Sequence, residues 1–338
     1  MQEAVLGMLL LVVAGVMNAN FTVPMKFTTK WAWENTWLVF SIFALVIMPP
    51  LMASITIPHL GSVYRESGIG VVLLVAACGA GWGIAQVLFG LAVSSIGIAL
   101  TFSIVLGISA ALGSLLPLVQ LHPEKTFSTA GLGIIAGVIL VAIGVTVCAI
   151  AGRQREAAMK TGPASGGGSF AQGLTIAIVS GFLAAAMNFG VAFGAPIGKA
   201  ASAAGGDPRW AVNAIWVPLM LAGAIPNILY CVYLMNKNST GKKFSSGGAS
   251  YWMLALLMAF FWFASSIMYG VSSSKLGELG PVLGWPVFMS LIVIVASVVG
   301  ILTGEWKNTG TRPVRIQAAG VVILIIAVVV FSRASLYL

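Results

Sequence analysis

The sequence predicts an all-α membrane protein, ten transmembrane helices in two inverted five-helix repeats. Three observations carry the prediction. Of its 338 residues, 59% are hydrophobic and 7% are charged, against roughly 25% charged in an ordinary soluble domain. The apolar residues gather into ten runs, each near the roughly 20 residues that a bilayer-spanning helix requires. Finally, the stretch WGIAQVLFGLAVSSIG at 82–97 has a counterpart, WFASSIMYGVSSSKLG, at 262–277.

The runs cover 3–25, 35–57, 69–93, 97–119, 129–151, 170–197, 210–236, 249–271, 281–303 and 314–334, numbered here as helices 1 to 10. Helices 3 and 4 are joined with almost no loop. The Gly/Ser-rich segment TGPASGGGS at 161–169 reads as a flexible linker. It separates a first repeat, 1–160, from a second, 170–338. The N-terminal run lacks a basic leader and a clear small-residue cleavage site, so it reads as a retained helix. Cys78, Cys148 and Cys231 all fall inside apolar runs, as packing residues do, with no disulfide or metal spacing.

The formal net charge is +9. In a chain with so little hydrophilic sequence, basic loops on the cytoplasmic side explain that excess better than nucleic-acid binding does. Eleven of the 17 basic residues follow helices 1, 3, 5, 7 and 9, and six lie on the other side. This asymmetry predicts cytoplasmic odd-numbered loops, with both termini outside.

In the repeat, Trp82, Gly90 and Gly97 match Trp262, Gly270 and Gly277 at one offset, and Ser94 matches Ser274. AGVILVAI at 136–143 pairs with AGVVILII at 319–326, at nearly the same offset. An odd number of helices per unit sends the second copy into the membrane with opposite orientation. Inverted repeats mark secondary transporters, whose substrate site lies near the midplane where the halves meet.

Polar groups in lipid are costly and face a partner or a cavity. The mid-membrane candidates are Asn18 and Asn20 on helix 1, Gln86 on helix 3, Asn188 on helix 6, Asn213 and Asn227 on helix 7, and Ser265, Ser266 and Tyr269 on helix 8. Trp82 and Gln86 are four residues apart and share a helix face, as do Trp262 and Ser266. An aromatic plate beside a hydrogen-bonding group suits a sugar, which has C–H faces and a rim of hydroxyls. For any one amide, hydrogen bonding between helices remains an equal reading. Trp31, Trp33, Trp37 and Trp306, near loops, fit interface anchors; Trp82 and Trp262, near helix centres, do not.

Catalytic and metal-binding signals are missing. The two histidines, His59 and His122, fall in loops, and there is no P-loop pattern. No acid falls at a helix centre, which leaves Glu34 and Glu278 as the candidates for carrying a coupled proton. Glu34 has the alternative of pairing with Lys26 or Lys30. Glu278 lies in LGELGPVLGWP, a Gly/Pro-rich entry to helix 9 that an unwound backbone would let reach inward.

KFTTKWAWENTW (26–37), GWGIAQVLFGL (81–91) and GEWKNTGTRPV (304–314) resemble the L-rhamnose–proton symporter family of the drug/metabolite transporter superfamily. Asp207–Pro208 and the pattern through Lys275, Trp285 and Met289 extend the resemblance across essentially the whole chain. It implies the ten-helix transporter fold and uptake of a deoxyhexose across the bacterial inner membrane, driven by the proton gradient, with no cofactor. Its partners are then a small sugar, a proton and the lipid bilayer. The expected site combines Trp82, Trp262 and Trp285 as stacking surfaces with Asn18, Asn20, Gln86, Asn188, Ser266 and Tyr269 as hydrogen-bonding groups. A metabolite exporter of the same superfamily and a non-transporting sugar sensor are the alternatives.

Overall fold

The computed structural model describes residues 2–159, 170–307 and 309–337, and the expected linker at 161–169 lies outside them. Among the described residues, ten helices are long and apolar enough to cross a membrane. They are helix 1 (Gln2–Phe27), helix 2 (Trp33–Thr56), helix 3 (Ile69–Ile96), helix 4 (Ile98–Leu121) and helix 5 (Thr129–Ala158), then helix 6 (Phe170–Ala203), helix 7 (Pro208–Asn238), helix 8 (Gly248–Lys275), helix 9 (Gly280–Leu302) and helix 10 (Thr311–Tyr337). A short helix, Leu60–Glu66, links helices 2 and 3. The expected runs were shorter mainly where helices extend past the apolar stretch, as helix 5 does through Arg153 and Arg155.

Helices 3 and 4 turn on a single residue. Gly97 has φ +84°, a conformation that strains any residue with a Cβ. Helix 2 widens into a π-helical turn at Ile42–Ile47, just before Pro49 and Pro50. Those prolines supply no N–H to the carbonyls one turn back, so the helix pitch relaxes there. Helix 6 is broken near Ala185 and again at Gly194.

Helix 1 packs on helices 8 and 9, and helix 6 packs on helices 3 and 4. Helix 5 lies along helix 10, helix 4 meets helix 9, and helix 7 runs against helix 3. Glycines permit the closest of these crossings, as small residues do between membrane helices. A Cβ on Gly79 would collide with the Leu219 carbonyl, and one on Gly83 with Gly223 and Pro226.

Ion pairs and hydrogen bonds sort the connections into two faces. Lys275 bonds Glu3 and Lys125 bonds Glu278, which gathers the N-terminus and the 4–5 and 8–9 connections at what we call the terminal face. Ser335 and Leu336 line a cavity with these groups, so the C-terminus lies there too. At the opposite face Glu305 bonds Lys26 at 2.9 Å and Arg155 at 3.3 Å. Glu34 accepts hydrogen bonds there from Thr240 and Asn238.

Two expectations change here. Trp31 is no interface anchor: it is 6% exposed and takes edge contacts from Phe244, Tyr251 and Trp252. Trp37 is half-buried, stacks on Trp33 and donates to Asn227.

Interior prolines set the most informative contacts. A proline in a helix leaves the carbonyl four residues earlier without its usual donor, and in lipid that carbonyl needs another. Pro117 frees Gly113 O, which accepts from Asn188 Nδ2 at 2.6 Å. Pro286 frees Val282 O, which accepts from Ser114 Oγ at 2.6 Å. Pro218 frees Ala214 O, which accepts from Tyr64 at 3.0 Å. Each of these three backbone defects is mended by a side chain from another element, and so each becomes a tie between them.

Candidate functional site

The interior is organised around one aromatic contact. Trp82 of helix 3 and Trp262 of helix 8 stack with ring centroids 5.4 Å apart and planes 26° from parallel. Each is 7% exposed. Phe40 of helix 2 meets Trp262 edge-on at 5.9 Å. The sequence suggested two walls facing across a gap, but the walls touch.

Toward the terminal face the interior is sealed. Val282 to Leu291 of helix 9 are buried without a break. Asn188, fully buried, uses its whole amide. Its Nδ2 donates to Gly113 O of helix 4 and, at 3.0 Å, to Pro281 O of helix 9, and its Oδ1 accepts from Tyr269 of helix 8. The Trp285 indole donates to Ser109 O at 3.0 Å and packs edge-on against Tyr269. One side chain thus binds helices 4, 6, 8 and 9 together, at a depth where an unmet amide costs several kcal/mol.

Toward the opposite face the polar groups are less committed. Asn18, Asn20 and Gln86 are half-buried. Asn18 donates to Ser265 Oγ at 2.9 Å, which leaves its Oδ1 open. Asn20, among the described residues, donates only to Val16 O on its own helix. Among the described residues Gln86 makes no hydrogen bond, and neither do the indole nitrogens of Trp82 and Trp262, none of which is sealed away from solvent. Ser266, in contrast, is spent on Trp262 O.

The structure therefore divides the expected site into two clusters. Trp82, Trp262, Gln86 and Asn18 have donors or acceptors to spare. Asn188, Tyr269, Trp285 and Ser266 do not. Asn227 and Asn213 serve as ties, to Trp37, Gly83 O and Thr56. Sequence reasoning missed the helix 4 partners Ser109, Gly113 and Ser114, although Pro117 and Pro286 mark Gly113 and Val282 by the four-residue rule.

The carboxylates all sit at helix ends or in connections. Glu278 does not reach inward. Its side chain is 75% exposed and bonded to Lys125 at 2.6 Å, which holds its carboxyl below the usual carboxylate value. Glu34 pairs with neither Lys26 nor Lys30, but it is the one carboxylate buried, at 4% exposure, with Oε1 taking 2.6 and 3.1 Å bonds from Thr240 and Asn238.

Ten spans, a broken helix 6, and polar groups concentrated where helices 1, 3 and 8 converge define a multi-pass membrane transporter. Residues 1–335 match the family described as L-rhamnose-proton symport protein, and the chain belongs to that family. It is 29% identical over 317 residues to the L-rhamnose-proton symporter of Mannheimia succiniciproducens, covering 91% of this chain and 92% of the relative. The L-rhamnose-proton symporters of Escherichia coli O17:K52:H18 and of Shigella flexneri are each 28% identical over the same shares. The chain is accordingly a transporter of a proton–sugar symport family and not an enzyme.

Proposed function

We propose that this protein imports L-rhamnose or a similar deoxyhexose together with protons, by alternating access between two inverted five-helix repeats. The odd-numbered loops face the cytoplasm in this reading, and both termini face the periplasm. The reciprocal packing of helix 1 on 8 and 9, and of helix 6 on 3 and 4, supports the repeat.

The observation that carries the reading is the division of polar groups about the Trp82–Trp262 stack. A sugar needs apolar faces and free hydrogen-bonding groups together, and these coincide at Trp82, Trp262, Gln86 and Asn18. Asn20 lies at the mouth of this region. Asn188, Tyr269 and Trp285 act instead as the gate toward the terminal face, which must part for that side to open. Alternation then needs helices 4 and 9 to separate at the Asn188 tie while helices 3 and 8 reorient about the tryptophans.

For the proton we favour Glu34, whose burial and neutral hydrogen-bonding partners leave it free of a fixed counter-ion contact. Glu278 has one in Lys125.

Uptake of labelled L-rhamnose into proteoliposomes, with and without an imposed pH gradient, tests the function. Accumulation should require the gradient and be competed by other 6-deoxyhexoses. Gradient-independent uptake refutes symport, and a failure of every deoxyhexose to enter or bind favours an exporter or a non-transporting sensor.

A further inference from the structure

Two cavities near the terminal face adjoin each other away from the tryptophan pair. One, of about 290 Å³, is an apolar groove between helices 1, 9 and 10. It runs along helix 1 from Ala4 to Val12, about 12 Å at 1.5 Å per residue, and Val287 and Leu291 of helix 9 line it. The other, of about 530 Å³, is lined by Glu3, Lys125, Lys275 and Glu278. Ala4, Ser335 and Leu336 line both, so the two are continuous.

We infer that together they form a binding site for one phospholipid with a zwitterionic, primary-amine head group. The groove opens on the lipid-facing side of the bundle, where Val5, Leu9 and Val329 are all more than half exposed, and its length fits the upper part of an acyl chain. The charged pocket sits at head-group level, with Glu3 and Glu278 at 69% and 75% side-chain exposure and the lysines beneath them at 13% and 37%.

Charge selects the head group. The pocket offers two ammonium groups and two carboxylates, paired as Lys275–Glu3 and Lys125–Glu278. A phosphate is drawn to the lysines and a primary ammonium to the carboxylates, so a phosphoethanolamine group can exchange with both pairs without leaving a charge unmet. An anionic glycerol head group brings hydroxyls but no positive charge to balance the carboxylates. A trimethylammonium group has no N–H to donate to them.

The site bears on transport through its floor. Leu291 is the side chain against which Gly15 of helix 1 closes, and it ends the unbroken buried stretch of helix 9. An acyl chain in the groove braces helices 1, 9 and 10 in the arrangement that keeps the terminal face shut. None of this depends on which sugar is carried.

The test uses the full chain purified in maltoside detergent, titrated separately with dioleoyl phosphatidylethanolamine, phosphatidylglycerol and phosphatidylcholine. Native mass spectrometry reads retained lipid and thermal unfolding reads Tm. Phosphatidylethanolamine should be retained one to one and raise Tm, and the other two should do neither. Lys125→Gln/Lys275→Gln and, separately, the lipid-facing Leu9→Trp should each abolish that retention, the second without touching a charge. Equal effects of the three lipids, preference for phosphatidylglycerol, or retention unchanged in Leu9→Trp overturns the inference.

Discussion

Trp82 and Trp262, from opposite halves of the chain, stack directly on one another with ring centroids 5.4 Å apart. In this arrangement the two indole faces turned toward each other are closed to a ligand. An aromatic pair is worth about 0.5–1.5 kcal/mol beyond its buried area, little enough for a sugar's C–H face to replace one ring. The stack is therefore a contact that substrate can exchange for, and it joins the two helices that reorient in the proposed cycle.

Removing either ring should weaken binding without unfolding the protein. Trp82→Ala and Trp262→Ala are expected to lower sugar affinity about tenfold or more, the equivalent of about 1.4 kcal/mol. Trp262→Phe, which preserves a face for stacking, should keep most of it. Equilibrium binding of labelled L-rhamnose to purified protein measures this, and wild-type affinity in both alanine variants would remove the pair from the site.

Gln86 and Tyr269 should fail in opposite ways. Gln86 makes no hydrogen bond among the described residues, so Gln86→Leu should leave Tm unchanged and raise KM for uptake about tenfold, the loss of one ligand hydrogen bond. Tyr269 is fully buried and donates to Asn188 Oδ1. Tyr269→Phe strands that acceptor at a cost of about 1–3 kcal/mol, so it should lower Tm and speed labelling from the terminal face. Equal behaviour of the two variants in uptake and thermal unfolding would contradict the division of the interior into ligand site and gate.

The carboxylates in the connections set a pH window. The hydrogen bond and charge of Lys125 hold Glu278 below the usual value of 4.5, and Lys26 and Arg155 do the same for Glu305. A depressed folded-state value means the pairs contribute their full effect above about pH 4.5 and lose it only as pH falls through the lower folded value. Between pH 5.5 and 7.5 neither group changes charge. Glu278→Gln should therefore leave the pH dependence of uptake over that range as in the wild type, whereas Glu34→Gln should abolish gradient-driven accumulation. Initial rates at stepped external pH decide both, and a flattened profile in Glu278→Gln would return that residue to the proton pathway.

The ten spans were legible because each is a long apolar run, and the near-absence of a loop between helices 3 and 4 because their two runs almost abut. Trp82 and Trp262 stood out as aromatics at helix centres, where an interface anchor has no use. What spacing along one helix does not report is whether a polar group's bonds are already spent. Gln86 and Asn188 look alike in sequence, yet one is uncommitted and the other fully used, because the partners of Asn188 are backbone carbonyls on helices 4 and 9. Burial of Trp31 was hidden for a related reason: its ring partners come from distant Phe244, Tyr251 and Trp252. The prolines held the missing information, since each names the carbonyl it leaves open.

Pro117 gives the sharpest test of that logic. Gly113 O is available to Asn188 because residue 117 has no N–H to offer it. In Pro117→Ala the N–H returns, the helical bond to Gly113 O can close, and Asn188 must share or lose its 2.6 Å partner. Alanine is favoured over proline in a helix interior by about 3 kcal/mol, so the variant should fold and helix 4 should stiffen. The tie between helices 4 and 6 should weaken nonetheless. Ser273→Cys, a buried position on helix 8, placed in a background lacking Cys78, Cys148 and Cys231, reports the result as a labelling rate from the terminal face. That rate should rise several-fold with Pro117→Ala, and further addition of Asn188→Ala should add little, because the two changes break one tie. A rate unchanged by Pro117→Ala, or effects of the two substitutions that simply multiply, would mean that the proline-freed carbonyl is no part of the gate.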